Sequence, residues 1–162
     1  IAELGILSVP PIHQNNFDVL FRRKEKIVCV TAENSIFLKG ITAPTLEELA
    51  ECPLCLSTGC HLMMSKIFAE KSIRPQVLSI CTTRTTALRW AEDDCGVSIV
   101  PMEPKEKLPE GLIAKAITGV DTDLYKTVVR VKGRPLSVVA KKFLQFYSDV
   151  RDSERMIKIK DL

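Results

Sequence analysis

One strand, turn and helix pattern occurs twice in the 162-residue sequence and constrains the fold more than any other feature. An apolar run at residues 53–56 ends in Ser57-Thr58-Gly59, and apolar residues at helical spacing follow it. A second apolar run at residues 77–80 leads to Thr82-Thr83 and another helical segment. Strands joined by helical crossovers pair in parallel, so both turns are expected at one edge of a single sheet.

The two turns predict a ligand cleft at the carboxyl edge of that sheet. A helix N-terminus can hold a small anion or polar molecule, because its first N–H groups are unpaired and the helix dipole favours negative charge. Helix N-capping, worth about 1 kcal/mol, is the alternative use of the hydroxyls, and one turn can serve both purposes. The candidate ligand-binding residues from this pattern are Ser57, Thr58, Gly59, Thr82 and Thr83.

Charge, hydropathy and cysteine content limit the classes of protein that the sequence can encode. The 23 basic and 20 acidic residues give a net charge of +3, which is too small to argue for nucleic-acid binding. No apolar run approaches the roughly 18 residues that a membrane span needs. The six cysteines lack the spacing of a disulfide framework. Since Cys29, Cys55 and Cys81 lie in or beside predicted strands, they are expected to be free and buried, as in a cytoplasmic protein.

The rest of the chain continues the alternation of strands and helices. Residues 1–9 are predicted to form a strand, and residues 17–30 two strands joined by a turn near Arg23-Lys24. A third strand of the repeated pattern, at 97–100, ends at Pro101. Further strands are expected at 112–117 and 124–132, and together these elements indicate an α/β fold.

Capping residues mark the ends of the predicted helices. Thr45 followed by Glu48 has the spacing of a capping box for a short helix. Gly96 is a candidate C-terminal cap for the helix that follows Thr82-Thr83. Ser137 can cap a final amphipathic helix.

The order of elements predicts two lobes connected by two strands. Residues 27–31 are expected to leave the first lobe, and residues 127–131 to return to it. Lobe two would therefore comprise residues 29–129, and lobe one residues 1–28 plus 130–162. Lobe one would be incomplete, because one strand and one helix outside the crossings cannot form a full lobe.

Four stretches of the sequence match one protein family in order and spacing. Residues 2–8 form an apolar strand that ends in a small hydroxyl residue, and residues 45–54 carry a leucine-x-x-leucine passage followed by proline. Residues 90–101 end in Val-Ser-Ile-Val-Pro, and residues 136–146 match a closing helix. Together they resemble the effector-binding domain of LysR-type transcriptional regulators. In residues 90–101, Asp94-Cys95 replaces the family's usual alanine-glycine.

The resemblance implies a fold and a function. The fold is that of the type 2 periplasmic binding proteins, with two Rossmann-like lobes, and the function is to sense a small polar or anionic effector in the cleft between them. Effector binding would change the angle between the lobes and the geometry of an oligomer. The ligand-binding set implied by the family adds Ser8, at the end of the first strand, and Pro101.

The resemblance also implies that the sequence is a segment of a longer regulator. A DNA-binding helix-turn-helix and the first part of lobe one are expected to precede Ile1, so that DNA binding belongs to the intact protein alone. Strand edges exposed by the truncation are expected to pair with another copy, giving a dimer or a higher oligomer.

A metal or redox site is an alternative interpretation of the cysteines. Cys52 and Cys55 form a C-x-x-C pair with Cys60-His61 nearby, but no second pair at zinc-finger spacing exists. Cys60 lies at a helix N-terminus, where thiol pKa values fall, and is the candidate redox residue. We expect neither a metal nor a cofactor.

Enzymatic and transport functions are the remaining alternatives. The two histidines, His13 and His61, belong to no serine-histidine-carboxylate pattern, and residues 92–94 are expected to form a solvated helix end. A solute-binding protein for transport is disfavoured by the free cysteines and the lack of a visible signal peptide. The favoured hypothesis is an effector sensor in which Thr58 and Thr82 lie on neighbouring loops, with their hydroxyls turned into one crevice.

Overall fold

The computed structural model describes residues 2–8, 14–151 and 157–158, with side chains described for residues 2–8 and 15–148. The chain divides into two compact units, unit 1 (Ile1–Lys24 and Tyr125–Leu162) and unit 2 (Glu25–Leu124). The boundaries of lobe two predicted from sequence, at residues 29 and 129, fall in the same two strands as the boundaries between the units.

The elements alternate between strands and helices along the chain. The strands are β1 (Leu4–Leu7), β2 (Phe17–Ala32), β3 (Pro53–Ser57), β4 (Gln76–Cys81), β5 (Val97–Met102), β6 (Leu112–Ala116), β7 (Asp123–Val131) and β8 (Ile157–Lys158). The helices are α1 (Leu46–Ala50), α2 (Thr58–Glu70), α3 (Arg84–Glu92) and α4 (Val138–Arg151). A 3-10 turn, Gln14–Asn16, precedes β2.

The sheet of unit 2 positions the two predicted turns. Its strand order is β6-β2-β5-β3-β4. Strand β3 pairs in parallel with both β4 and β5, whereas β2 is antiparallel to β5 and β6. The carboxyl ends of β3, β4 and β5 therefore lie at one edge of the sheet, and the segment that follows each strand begins there.

Apolar side chains cover both faces of this sheet. One core cluster, on the side of α1 and α2, contains Leu54, Leu56, Met64, Phe68 and Ile99. The other, beneath α3, contains Val30, Cys81, Ala87, Ala91 and Val100. Burial on both faces explains why β3 and β5 read as continuous apolar runs rather than as alternating patterns.

Strand β2 corrects one expectation from the sequence. Residues 17–32 form a single 16-residue strand, and the turn predicted near Arg23-Lys24 is wrong. Burial alternates through this stretch, with Lys24 and Lys26 exposed and Glu25 and Ile27 buried. The charged residues therefore follow the two-residue period of a strand, and a cluster of charges in the sequence is not a turn signal by itself.

Helix α1 has the predicted capping box. Thr45 Oγ1 accepts a hydrogen bond from Glu48 N (3.2 Å), and Thr45 N donates one to Glu48 Oε2 (2.8 Å). The two bonds satisfy donors that a helix N-terminus leaves unpaired and so stabilise a helix of only five residues.

Gly96 is not the C-terminal cap of α3. The cap is Asp93, and Asp94 takes the left-handed conformation with φ 49°. A Cβ atom on Gly96 would lie 2.5 Å from the carbonyl oxygen of Pro53. The glycine is needed because β5 begins against the start of β3, where there is no room for a side chain.

The sequence indicated that β5 ends at Pro101, and this prediction is wrong. Strand β5 continues to Met102, and Pro101 lies opposite Ile27 of β2. The pairing between β5 and β3 stops at Ile99, so one side of β5 is free of a partner strand at Pro101. A residue without an N–H group is tolerated there because no ladder bond is lost on that side.

Unit 1 contains strands in the order β1-β7-β2, with α4 packed against them. Leu20, Phe21 and Val128 form its buried cluster, and Leu144 and Tyr147 of α4 pack on that cluster. Ser137 caps α4 as predicted, since its Oγ accepts a hydrogen bond from Ala140 N (3.1 Å).

Candidate functional site

Three polar segments follow the parallel strands of unit 2 at their carboxyl edge. Ser57 ends β3 and Thr58 begins α2, while Thr82 and Thr83 connect β4 to α3. The third segment, 103–110, follows β5. Such an edge is where ligands bind in open α/β sheets, because several loops and helix N-termini meet there.

A hydrogen bond joins the first two segments. Thr58 is exposed, and its Oγ1 donates to the carbonyl oxygen of Cys81 at 2.9 Å. Cys81 is the last residue of β4 and directly precedes Thr82. The bond therefore holds the start of α2 next to the turn that contains Thr82, and leaves the lone pairs of the Thr58 hydroxyl available as acceptors.

Ser57 faces the interior rather than solvent. It is 3% exposed, and its Oγ lies 3.3 Å from the Cys60 Sγ atom. Ser57 is buried because it still belongs to strand β3. Its backbone forms the N-cap of α2 without a side-chain capping bond. A ligand contact by this hydroxyl would require the Ser57–Cys60 pair to open.

Gly59 lies within α2 rather than before it. The sequence suggested a helix that follows Gly59, whereas α2 already begins at Thr58. Gly59 is half-buried and its φ is not positive, so its conformation is not one that only glycine adopts.

The second turn combines a capping residue with an exposed threonine. Thr83 Oγ1 accepts a hydrogen bond from Thr86 N (3.1 Å) and lies 2.8 Å from Thr86 Oγ1. The capping interpretation therefore holds for Thr83. Thr82 is exposed and has no such bond among the described contacts of the turn. Of the two hydroxyls, that of Thr82 is the one with no structural use in capping α3.

The two residues suggested by the family resemblance lie in different units. Pro101 is half-buried in β5 of unit 2, near the carboxyl edge. Ser8 is half-buried directly after β1 of unit 1. The expectation that Ser8 contacts the same ligand as the turns of unit 2 stays a prediction.

Sequence reasoning missed an ion pair at the same edge of unit 2. Arg84 is the first residue of α3, and its Nη1 contacts Glu106 Oε1 in segment 103–110. Glu106 Oε2 also accepts a hydrogen bond from Glu103 N (3.0 Å). The only local signal was the position of Arg84 directly after Thr82-Thr83, because nothing in the sequence links it to a glutamate 22 residues away.

The cysteines are free, and burial determines their chemistry. Five are buried and Cys95 is exposed. Burial raises the pKa of Cys29 to about 12 and that of Cys55 to about 11. It also raises the pKa of Cys60, whose Sγ donates to Ile99 O at 3.1 Å. The lowered pKa that the sequence suggested for Cys60 is wrong, because desolvation outweighs the helix N-terminus.

The remaining chemical candidates are possible metal ligands, the two histidines and the acidic end of α3. Within the described residues, no three His, Cys, Asp or Glu side chains come together as a metal site. His13 lies outside the described residues, and His61 is half-buried on α2. Glu92 pairs with Arg89 on the same helix at 2.6 Å. None of the described helices is both long enough and apolar enough to span a membrane.

The family can be assigned by comparison with known proteins. The model of the LysR substrate binding domain family matches residues 2–152, which is nearly the whole chain. The chain belongs to this family. LysR substrate binding domains have the type 2 periplasmic-binding-protein-like fold, which confirms the fold class predicted from the sequence. Membership also supports the effector-binding domain of a LysR-type transcriptional regulator over a transport protein.

Solved structures of LysR domains resemble this chain in fold. The effector binding domain of QuiR in complex with shikimate has a TM-score of 0.74 and 21% identity, with 94% of this chain and 73% of that chain covered. The regulatory domain of CcmR from Synechocystis PCC6803 in complex with 2-PG has a TM-score of 0.75 and 16% identity, with 94% and 74% covered.

A full-length LysR regulator shows how much of such a protein the domain represents. CbnR, solved in complex with target DNA, has a TM-score of 0.68 and 17% identity, with 93% of this chain and 52% of that chain covered. This LysR domain therefore spans about half of a full-length regulator. No curated protein sequence matches the chain.

Proposed function

We propose that this domain binds a small polar or anionic effector at the carboxyl edge of β3, β4 and β5, using Thr58, Thr82 and Thr83. The observation that carries the proposal is the hydrogen bond from Thr58 Oγ1 to Cys81 O, which places two hydroxyl turns side by side. Unpaired N–H groups at the starts of α2 and α3 would add donors to the same ligand. The domains of QuiR and CcmR, solved with shikimate and 2-PG, support a ligand of this kind.

The role of the domain follows from that binding. An effector that binds one conformation of the domain more tightly than another shifts the population toward it, and so changes the regulator that contains it. We propose that DNA is bound by a separate helix-turn-helix of the intact protein, since this chain carries a net charge of only +3. In this proposal the domain binds and does not catalyse, and the free cysteines favour a cytoplasmic location.

A threonine substitution at the second turn tests the site. Thr82→Val removes a hydroxyl that has no role in capping α3, so we expect effector affinity to fall about tenfold, which corresponds to roughly 1.4 kcal/mol for one hydrogen bond. The measurement is isothermal titration of shikimate and of other hydroxylated carboxylates and phosphate monoesters that stabilise the wild-type chain against heat.

Thr85→Val is the matched control, because Thr85 is an exposed threonine three residues further along, on α3. It should bind as the wild type does. Equal affinities for Thr82→Val and Thr85→Val would place the site elsewhere. Ser8→Ala, measured in the same way, tests whether unit 1 contributes to the same ligand.

A further inference from the structure

The ion pair between Arg84 and Glu106 lies at the proposed binding edge and is only partly buried. Each side chain is 28% exposed. Arg84 begins the helix that follows the Thr82 turn, and Glu106 lies in the segment that follows β5. A cation and a carboxylate therefore meet within reach of solvent, beside residues that we assign to effector binding.

The contact with Glu106 uses only some of the hydrogen-bond donors of Arg84. A guanidinium group presents two parallel N–H groups to a carboxylate or phosphate, and such groups usually bind in a two-point manner. Here Nη1 contacts Glu106 Oε1, whereas the Nε atom is buried and has no hydrogen-bond partner among the described residues. Buried N–H groups are nearly always paired, so the contact with Glu106 leaves the guanidinium group incompletely hydrogen-bonded.

The glutamate does not need the arginine to hold its loop. Glu106 Oε2 already accepts a hydrogen bond from Glu103 N within the same turn. Leu108, two residues further on, packs against the core cluster beneath α3. Two independent contacts therefore fix segment 103–110, and the contact with Arg84 can open without loss of the fold of the segment.

We propose that the carboxylate of Glu106 is an internal stand-in for the anionic group of the effector. The ligand class is a small molecule with a carboxylate or phosphate group, which would displace Glu106 from Nη1 and bind the guanidinium group of Arg84 through two of its N–H groups. This assignment rests on the proposed function, to which it adds the residue that recognises charge. Arg84 sets the specificity for an anion, and Glu106 sets the affinity by competing with that anion.

The test is an NMR titration of the chain with sodium phosphate and, separately, with sodium acetate, at constant ionic strength. Glu106→Gln removes the competing charge, so both anions should shift the Arg84 Nε–Hε signal with about fivefold higher affinity than in the wild type. Glu92→Gln is the matched control, because it removes the partner of Arg89 on the exposed part of the same helix. It should behave as the wild type.

Arg84→Lys provides a second variant, which keeps the positive charge but loses the parallel N–H groups of the guanidinium group. It should bind both anions more weakly than the wild type, while the amide spectrum shows an unchanged fold. Equal anion affinities in Glu106→Gln and the wild type would overturn the proposal. Shifts confined to the amides of Thr58 and Thr82 would also overturn the role of Arg84 and Glu106, but would remain consistent with the proposed effector site. If neither turn responds in any variant, the proposed function fails as well.

Discussion

At the scale of single residues, burial decides which polar groups are available for chemistry. Ser57 and Thr58 are adjacent, yet one hydroxyl contacts a buried thiol and the other is exposed and bonded to the next strand. The same distinction applies to the thiols, because Cys95 is exposed whereas Cys29 is completely buried. Residue type alone would have treated the members of each pair as equivalent.

Because the thiol of Cys29 is buried, we expect the free energy of unfolding to fall as the pH rises in the alkaline range. Burial raises its pKa from 9.0 to about 12, so above pH 9.0 the unfolded thiol ionises while the folded one stays protonated. This contribution to stability is therefore complete below pH 9.0 and is lost as the pH rises toward 12. Urea unfolding at a series of pH values should show a steeper alkaline fall for the wild type than for Cys29→Ala. Parallel curves would contradict the prediction.

At the scale of elements, local sequence signals determine where helices begin, and close packing determines where strands can lie. The capping box of α1 was readable because all of its groups lie within four residues. Gly96 was assigned to a cap that the structure does not contain, because its purpose depends on Pro53, which is distant in sequence. A local motif and a long-range contact can thus select the same residue type for different reasons.

Loss of the capping box should destabilise unit 2. Thr45→Ala removes the acceptor for Glu48 N and should lower the free energy of unfolding by about 1 kcal/mol. Thr45→Ser keeps an acceptor and should restore most of that loss. The measurement is urea denaturation, with Thr42→Ala as the control because Thr42 is an exposed loop residue. A loss of equal size in the control would mean that capping is not the cause.

At the scale of the whole molecule, the apolar edge of unit 2 bears on self-association. Strand β4 ends the strand order of the sheet and exposes Val77 (43%), Leu78 (51%) and Ile80 (50%). An exposed apolar edge strand is a surface on which a further strand can pair. The self-association expected from the sequence concerned edges exposed in lobe one, whereas β4 belongs to unit 2. Pairing of a second copy along β4 is therefore a separate proposal.

A lysine on the edge strand tests this proposal. Ile80→Lys places a charge on β4 and should shift the chain toward monomer, because edge charges oppose strand pairing. Sedimentation velocity over a range of concentrations gives the measurement. Ile36→Lys, at an apolar residue that is 74% exposed in a loop, is the control and should associate as the wild type does. A wild type that is monomeric at every concentration would remove the basis for this interface.

The sequence by itself determined the features whose signals are local. The two hydroxyl turns, the capping box of α1, the Ser137 cap and the α/β order could all be predicted, because periodicity and capping depend on residues a few positions apart. The order and spacing of these elements also pointed to the LysR family, to which the chain belongs.

Only the tertiary structure decided how distant segments meet. It made β2 continuous through its charged residues, turned Ser57 inward, bonded Thr58 to the last residue of β4, and paired Arg84 with Glu106. Each of these outcomes depends on which strands become neighbours and which side chains lose water. Sequence spacing does not encode such contacts, because packing brings together residues that the chain keeps far apart.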